Sequence, residues 1–586
     1  MRDGEKGVLN IIILSTVLVS IIGLYQVLFG FINVVKRAEE AGLSEDIVIL
    51  ARSQTRAFST FIHPNTMAGY LCLIIPLCMY IIIEEISMIR NAIYAAALSI
   101  LITSLLFTYS RGGWITSTAG FIAFMFFLFY ERISLKKAIP IFLGIIVGFI
   151  LFFSFRYYSI DIINRDLPSI QERISKLELK GISIQGRLVL WKGALNIIKH
   201  NPIFGTGIGT FMHAYPHYQE KVFYSRYAHN TYLQMWSETG IIGLAAFFIP
   251  VILCLKTKPV MEKLNLYKFA MISLFLFLLH NAIDFDWESP AIMATFFIIL
   301  SMITYTGEVN IQNDTSLIRL SEGRLVRRYI ISSLLTIALC LIILLPCLSD
   351  GYFVMARSLF EQGKYEDAIH AIRKARGLFP IRGEHYYGEA EIYKKMGDVY
   401  KKREYYDEAL SYVKRAIHLE PLNPYFRREL GIIYWILKDY EKAIEEFRRA
   451  VEITPGNVFL HNTLGKAYMY LGRLDDAKRQ LRRALELEND YFEYSHPDIK
   501  DIFETHFILA EIAVRERNLN DAIRELEGNL TLLKRGPNFY HVGRRERNAI
   551  YDADTVKFAV CYNLGKVMEM KGDLKKALTY YLKAQS

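Results

Sequence analysis

From Val8 to about Pro346 the chain alternates long apolar runs with mostly short polar joints. From about Asp350 onward, apolar positions recur at helical spacing among charged residues. A membrane-spanning helix needs about 20 predominantly apolar residues. Nine stretches qualify: 8–32, 67–83, 91–109, 114–130, 138–155, 231–255, 267–283, 290–306 and 329–348. The first is too long for the core of a secretion signal and no Ala-x-Ala site follows it, so it reads as a retained span. One polar joint, 156–228, is far longer than the others. Within it Leu188, Trp191, Leu195 and Ile198 recur at helical spacing, which predicts an amphipathic helix over Gly186–His200 lying on the membrane surface. Asn201-Pro202 ends that helix, and Gly205-Thr-Gly-Ile-Gly209 predicts a tight turn. No strand precedes these glycines and no βαβ unit surrounds them, so a nucleotide-binding loop is excluded.

The second half carries a repeat. Ala409, Ala443 and Ala477 are spaced by 34 residues, and Gly431, Tyr434, Phe447, Ala450 and Pro455 have counterparts one repeat away. This resembles the tetratricopeptide pattern of stacked helical pairs. Gly431 and Ala443 let two antiparallel helices approach, and Tyr434 and Phe447 fill the space between them. Degenerate copies are expected around Tyr365–Pro380, Tyr405–Pro421, Asn518–Glu527 and Asp573–Ala584. The expected fold is therefore all-α: a polytopic membrane domain over 1–349 with about nine spans, then a tetratricopeptide α-solenoid over 350–586. Concave solenoid faces commonly bind proteins, so a protein partner is expected there.

Charge changes this picture in one respect. The formal net charge is +10, but many basic residues flank apolar runs, where they act as topology signals and not as a nucleic-acid footprint. Arg90, Arg132, Lys136, Lys137, Lys256, Lys258, Lys263, Lys268, Arg319, Arg324, Arg327 and Arg328 mark one set of joints as cytoplasmic. The joint Asp284-Phe-Asp-Trp-Glu-Ser289 has no basic residue. It falls on the opposite face, together with 33–66, Ser110–Gly113 and the long loop. Nine spans would place the repeats on that face too. The six cysteines form no Cys-x-x-Cys pair or ligand cluster, so neither a disulfide framework nor a metal centre is expected.

The candidate chemistry lies where the long loop re-enters the bilayer. His229-Asn-Thr-Tyr-Leu-Gln-Met-Trp-Ser-Glu-Thr-Gly240 places a histidine, a tryptophan and a glutamate at that edge. Ionisable groups at a membrane edge are costly and are functional candidates. Four stretches in order resemble the O-antigen ligase and polymerase family of polytopic bacterial glycan transferases. They are Arg56-Ala-Phe-Ser-Thr-Phe-Ile-His-Pro-Asn65, Ser110-Arg-Gly-Gly-Trp114, Arg187 with Trp191 and Asn201-Pro-Ile-Phe-Gly-Thr-Gly207, and His229–Gly240. His280-Asn-Ala-Ile-Asp-Phe-Asp286 resembles the acidic turn that follows. The resemblance covers about 50–305. The family usually has more spans ahead of Ser-Arg-Gly than the three here, so the chain is either a short variant or lacks leading spans.

The resemblance implies transfer of a glycan from a polyprenyl diphosphate carrier to an acceptor hydroxyl, outside the bacterial cytoplasmic membrane. The acceptor would be a growing glycan, a lipid A-core sugar or a protein hydroxyl. No cofactor or metal is implied. Arginine forks suit a diphosphate, and histidine suits a base near neutral pH. The catalytic candidates are His229 as base, with Arg111 and Arg187 as diphosphate clamps. Asn230, Glu238, Asn65, Trp191 and Asp284 are the candidate substrate-binding residues. Competing with each role is a plainer one: interfacial snorkelling for Arg111, a solvated helix face for Arg187, helix capping for His229, His63 and Asn65, and turn capping for Asp284 and Asp286. His213 and His217 read as surface residues. The competing function is a non-catalytic, membrane-anchored repeat scaffold for envelope polysaccharide assembly.

Overall fold

The computed structural model describes residues 3–31, 33, 56–61, 63–158, 182–223, 225–306, 345–346, 348–490, 499–534 and 553–585. They are built from helices, with no strand element among the described residues. The chain divides into two units. One comprises Met1–Ile208 and Tyr227–Gln312, the other Gly209–Arg226 and Asn313–Ser586. The long loop is thus shared between them.

The first unit contains α1 (Asp3–Tyr25, continued by a π-helical turn over Gln26–Gly30), α2 (Pro64–Glu84), α3 (Met88–Phe107), α4 (Arg111–Tyr130), α5 (Leu135–Tyr157) and α6 (Ile182–His200). The second unit takes α7 (Phe211–Tyr218), and the first resumes with α8 (Thr231–Leu255), α9 (Leu264–Asn281) and α10 (Pro290–Tyr305). Among the described residues, seven helices are long and apolar enough to cross a membrane, and Pro290–Tyr305 is a shorter apolar helix. The predicted span at 329–348 lies almost entirely outside the described residues.

Helix α2 is apolar on every side and is buried along nearly its whole length, as expected of a helix surrounded by other helices. It packs against α1, α3, α4, α5 and α9. Glycines set two of the close approaches around it. A Cβ on Gly144 would lie 2.8 Å from the Ala95 carbonyl, and one on Gly148 would lie 2.9 Å from Ile102 Cβ, so α5 sits backbone-close on α3. Small residues at helix crossings are what packing within a membrane favours. One end of the bundle is pinned by charge. Lys6 Nζ lies 2.5 Å from Glu85 Oε2, Asn265 donates to Glu84 at 2.8 Å, and Lys268 pairs with Glu131. These residues sit at the joints that the basic pattern assigned to the cytoplasm.

The predicted span at 114–130 begins earlier than its hydropathy suggests. Ser110 is the N-cap of α4 and its Oγ accepts from Gly113 N at 3.2 Å, so Arg111-Gly-Gly forms the first helical turn. A serine oxygen satisfying an otherwise orphaned helix-start amide accounts for the extension.

The second unit is a ladder of helical pairs: α11 (Tyr365–Leu378), α12 (Gly383–Tyr400), α13 (Arg403–Leu419), α14 (Pro424–Ile436), α15 (Tyr440–Ile453), α16 (Val458–Tyr470), α17 (Leu474–Asp490), α18 (Ile499–Arg515), α19 (Leu519–Lys534), α20 (Ala553–Met570) and α21 (Leu574–Gln585). The repeat spacing recurs in the packing. A Cβ on Gly397, Gly431 or Gly465 would lie 2.7, 2.5 or 2.8 Å from Tyr406, Phe447 or Leu481 respectively. Each is a site where one helix of a pair must approach the other without a side chain. Helix α7 packs on α15: the His217 ring lies 3.1 Å from the Glu452 carbonyl, and Val222 fills the space beside Gly456.

Candidate functional site

The amino-terminal ends of α2, α4 and α8 and the carboxy-terminal end of α9 meet around the acidic turn that follows α9. Capping fixes these ends. The His63 ring accepts from Asn65 N at 3.2 Å to start α2. Asn230 accepts from Leu233 N at 3.0 Å to start α8, and its amide donates to the Ala282 carbonyl at 2.9 Å. Thr231 N donates to the Asp284 carbonyl at 3.1 Å. Asn230 therefore caps α8 and locks that helix onto the turn.

Asp284 is the hub. One carboxylate oxygen, Oδ2, accepts from Asn65 Nδ2 at 2.6 Å and from Arg187 Nη2 at 3.3 Å. The other, Oδ1, accepts from Phe285 N at 3.1 Å and lies 3.5 Å from His229 Nδ1. That last separation is long for a hydrogen bond, but Nδ1 is buried and Asp284 is the carboxylate facing it; such contacts commonly tighten when substrate binds. The Asp284 side chain is 1% exposed, whereas Arg187 and His229 are each 25% exposed. A buried acceptor thus orients two accessible groups. Behind Asn65, Arg56 Nη2 donates to Asn65 Oδ1 at 2.7 Å and Arg56 Nε donates to the Thr108 carbonyl at 2.7 Å. This chain of bonds runs from the end of α3 through α2 to Asp284.

Burial alone would raise the Asp284 carboxyl. The His229 contact and the nearby His280 and Arg187 outweigh it and hold the group well below the usual carboxylate range. Asp286, two residues on, goes the other way. Burial pushes it up, the His280 pairing opposes this, and the negative charge of Asp284 adds to the rise. His280 Nδ1 lies 2.5 Å from Asp286 Oδ2, both side chains are fully buried, and Gly69 and Gly112 leave room for the pair. Environment therefore separates two neighbouring carboxyls into an ionised hub and a carboxyl biased toward its protonated form. Because the folded-state pKa of Asp284 is depressed, its contribution to stability is complete above the unfolded value of about 3.9 and is lost as pH falls toward the folded value. In detergent, the difference in unfolding midpoint between the wild type and Asp284→Asn is expected to shrink as pH falls below about 4. A difference that does not shrink below that pH would contradict the depressed value.

His229 itself sits at φ 51°, in the left-handed region, where histidine is more common than most residues but still strained. Its carbonyl accepts from Trp191 Nε1 at 3.4 Å. Its ring meets Phe285 edge-on at 4.9 Å, and Tyr227 stacks on the same Phe285 at 4.2 Å and 12°. Trp191 thus contributes by positioning the His229 backbone, and the aromatic cluster fixes the ring.

The structure brings His229, Arg187, Asp284, Asn65 and Trp191 together and gives Asn230 the cap. Arg111 is half-buried and opens α4 one residue before Gly112, where a Cβ would meet Ile283 and His280. Glu238 is buried farther along α8, 3.4 Å from Gln234 Nε2. Sequence reasoning names Asp284 as a substrate-binding candidate and quotes Arg56 and His280–Asp286 only within family-like stretches; the Arg56–Asn65 bond, the Phe285 ring contacts and the His280–Asp286 pairing appear only in the structure. The spacing in His280-Asn-Ala-Ile-Asp-Phe-Asp286 carried a signal for the pair, since a helix-end histidine and a carboxylate in the turn just beyond it can meet.

Residues 96–248 match the family model described as O-antigen ligase, from within α3 to within α8. Residues 351–419 and 394–458 match tetratricopeptide repeat models, and 437–584 match the fourth ARM domain of tetratricopeptide repeat protein 21. No curated protein matches the chain. Among solved structures, MamA from Desulfovibrio magneticus RS-1 is 16% identical, covering 32% of this chain and 97% of its own, with a TM-score of 0.26. Pseudomonas aeruginosa pilF is 15% identical, covering 40% and 89%, at 0.28. BtubC from P. vanneervenii is 20% identical, covering 38% and 87%, at 0.29. The chain therefore carries an O-antigen ligase domain followed by tetratricopeptide repeats, which fits a membrane glycan transferase in general terms.

Proposed function

We propose that the protein transfers a glycan from a polyprenyl diphosphate carrier to an acceptor hydroxyl on the extracytoplasmic side of a bacterial cytoplasmic membrane, as a ligase or a polymerase. The observation that carries this reading is the Asp284 hub, which presents Arg187 and His229 side by side. Asp284 takes the Nδ1 proton side of His229, which leaves Nε2 as the basic nitrogen. The acceptor hydroxyl gives its proton to Nε2 as its oxygen bonds to the anomeric carbon. The bond from that carbon to the carrier oxygen breaks in the same step, and the electron pair leaves with the polyprenyl diphosphate. Arg187 and Arg111 hold the charge on the leaving group, helped by the positive amino-terminal ends of α2, α4 and α8.

The side of the membrane rests on the basic pattern. Lys6, Glu85, Glu131 and Lys268 lie at the joints read as cytoplasmic, and the candidate site lies at the opposite helix ends. Residues Gly209–Arg226 of the loop belong to the repeat unit, which supports a shared compartment for loop and repeats. The repeats are read as the docking surface for a protein partner or protein acceptor.

Purified protein incubated with lipid-linked glycan and each acceptor class in turn is expected to yield acceptor-plus-glycan by mass, with stoichiometric release of polyprenyl diphosphate. Absence of release with a growing glycan, a lipid A-core sugar and a protein acceptor alike would sink the assignment. The scaffold alternative predicts instead that changes at Arg111 and His229 are silent, while deletion of 350–586 removes all function.

A further inference from the structure

Helix α8 is broken. Gly240 has φ 68° and ψ −171°, so the residues before and after it form two helices joined at a kink. A break within a span leaves backbone groups that lipid cannot satisfy. The turn after α6 supplies the missing partners. Thr206 N donates to the Ser237 carbonyl at 3.0 Å, Gly207 N donates to the Glu238 carbonyl at 2.8 Å, and Ile241 N donates to the Pro202 carbonyl at 2.9 Å. The fit is backbone against backbone: a Cβ on Gly205 would lie 2.3 Å from Glu238 C, and one on Gly240 would lie 1.9 Å from the Ile203 carbonyl oxygen. The turn's own amide at Gly205 donates to the Asn201 carbonyl at 3.1 Å.

With its backbone bonded inward, the turn points large apolar side chains outward. Ile203, Phe204 and Ile208 are 53%, 76% and 86% exposed. Leu188 and Leu195 of α6 are exposed too, while Leu190, Ala194, Ile197 and Ile198 form the helix's buried face. The outward surface continues onto α8. Ile242, Ile249, Ile252 and Leu253 are exposed at helical spacing along the part of the span beyond the kink, and that stripe starts two residues after Gly240, which lies against the Ile203 backbone.

We propose that the turn is a re-entrant wedge whose Phe204, Ile203 and Ile208 insert among the lipid acyl chains of the leaflet on the site's side. Two observations select lipid as the occupant. The exposed apolar surface is continuous with the lipid-facing stripe of a membrane span, and the turn amides at Gly205, Thr206 and Gly207 are already donated, which entry into hydrocarbon requires. Burying each exposed side chain contributes favourably through the apolar area removed from water. The wedge sets the depth of α6, the helix that leads into it, and so keeps Arg187 near the level of lipid phosphates. This placement does not depend on the proposed transfer chemistry.

The test uses full-length protein with its six cysteines replaced by alanine and reconstituted in phosphatidylcholine–phosphatidylglycerol nanodiscs. A nitroxide is attached at Phe204→Cys or Ile208→Cys and its accessibility to oxygen and to a water-soluble nickel chelate is measured. Leu253→Cys serves as the lipid-facing reference and Arg357→Cys, on an exposed repeat position, as the water-facing one. Labels at 204 and 208 are expected to follow Leu253→Cys, with an oxygen-to-nickel accessibility ratio several-fold above that at Arg357→Cys. Accessibility matching Arg357→Cys, or an immobile label shielded from both reagents by protein, would overturn the proposal. Both substitutions replace exposed side chains, the cysteine-free background, which changes buried Cys72, Cys78, Cys254 and Cys561, is first shown to keep the wild-type unfolding midpoint, and the readout is independent of activity.

Discussion

His229→Ala is expected to lower glycan transfer by about 100- to 10,000-fold, the range that a positioned general base supplies, with protein level and membrane insertion unchanged. The variant should insert normally because the structural duties around His229 belong to other groups. Asn230 caps α8, Thr231 is held by the Asp284 carbonyl, and Trp191 binds the main chain of residue 229 and not its side chain. One complication is the left-handed backbone at φ 51°, which costs alanine about 1–2 kcal/mol. His229→Asn removes that ambiguity, since asparagine tolerates the left-handed region but cannot serve as the base. Loss of transfer in both variants, with the asparagine form at wild-type stability, supports the assignment; full transfer in the asparagine form sinks it. Asp284→Asn should also be impaired, because a neutral amide no longer fixes the His229 tautomer, and the defect should lie in kcat more than in KM.

Gly240→Ala is expected to lower transfer by about 100-fold, the scale of a misplacement of about 1 Å at a reacting group, and to lower the apparent unfolding midpoint as well. Two penalties combine. The backbone at φ 68° and ψ −171° is open to glycine and disfavours any Cβ, at about 1–3 kcal/mol, and the new atom would lie 1.9 Å from the Ile203 carbonyl oxygen. That oxygen is backbone, so the 202–207 turn must move, and α6 carries Arg187 directly ahead of it. Gly209→Ala separates the two effects. Its φ is 74°, yet a Cβ there would meet nothing within 4 Å, so it carries a positive-φ cost without the contact. Equal losses at both positions would mean that backbone strain alone matters and that the turn does not seat in the break.

Much of the architecture was legible because it rests on local rules. Apolar length marks the spans, and the 34-residue spacing marks the repeats through the small residues at Gly397, Gly431 and Gly465. Two features resisted. Hydropathy placed the start of α4 beyond Arg111, since a serine cap and two glycines carry little hydropathy signal. The same signal ran smoothly through Gly240 and concealed the break, because the groups that satisfy it come from the turn at 202–207.

The candidate site divides along the same line. Residue type and position at the membrane edge single out His229 in the sequence, because an ionisable group there needs a reason to be present, whereas Arg187 and Arg111 enter through the family resemblance and the diphosphate carrier it implies. What Asp284 and Asp286 each contact was decided only in three dimensions. Asp284 and Asp286 are nearly indistinguishable in sequence, two carboxylates in one short turn. The fold aims Asp284 at Asn65, Arg187 and His229, with the Arg187 charge and the His229 contact helping to keep it ionised, and buries Asp286 against His280. Membership in the fold followed from covalent sequence and hydrophobic period; the roles of the two carboxyls followed from electrostatics, which depends on neighbours far apart in the chain.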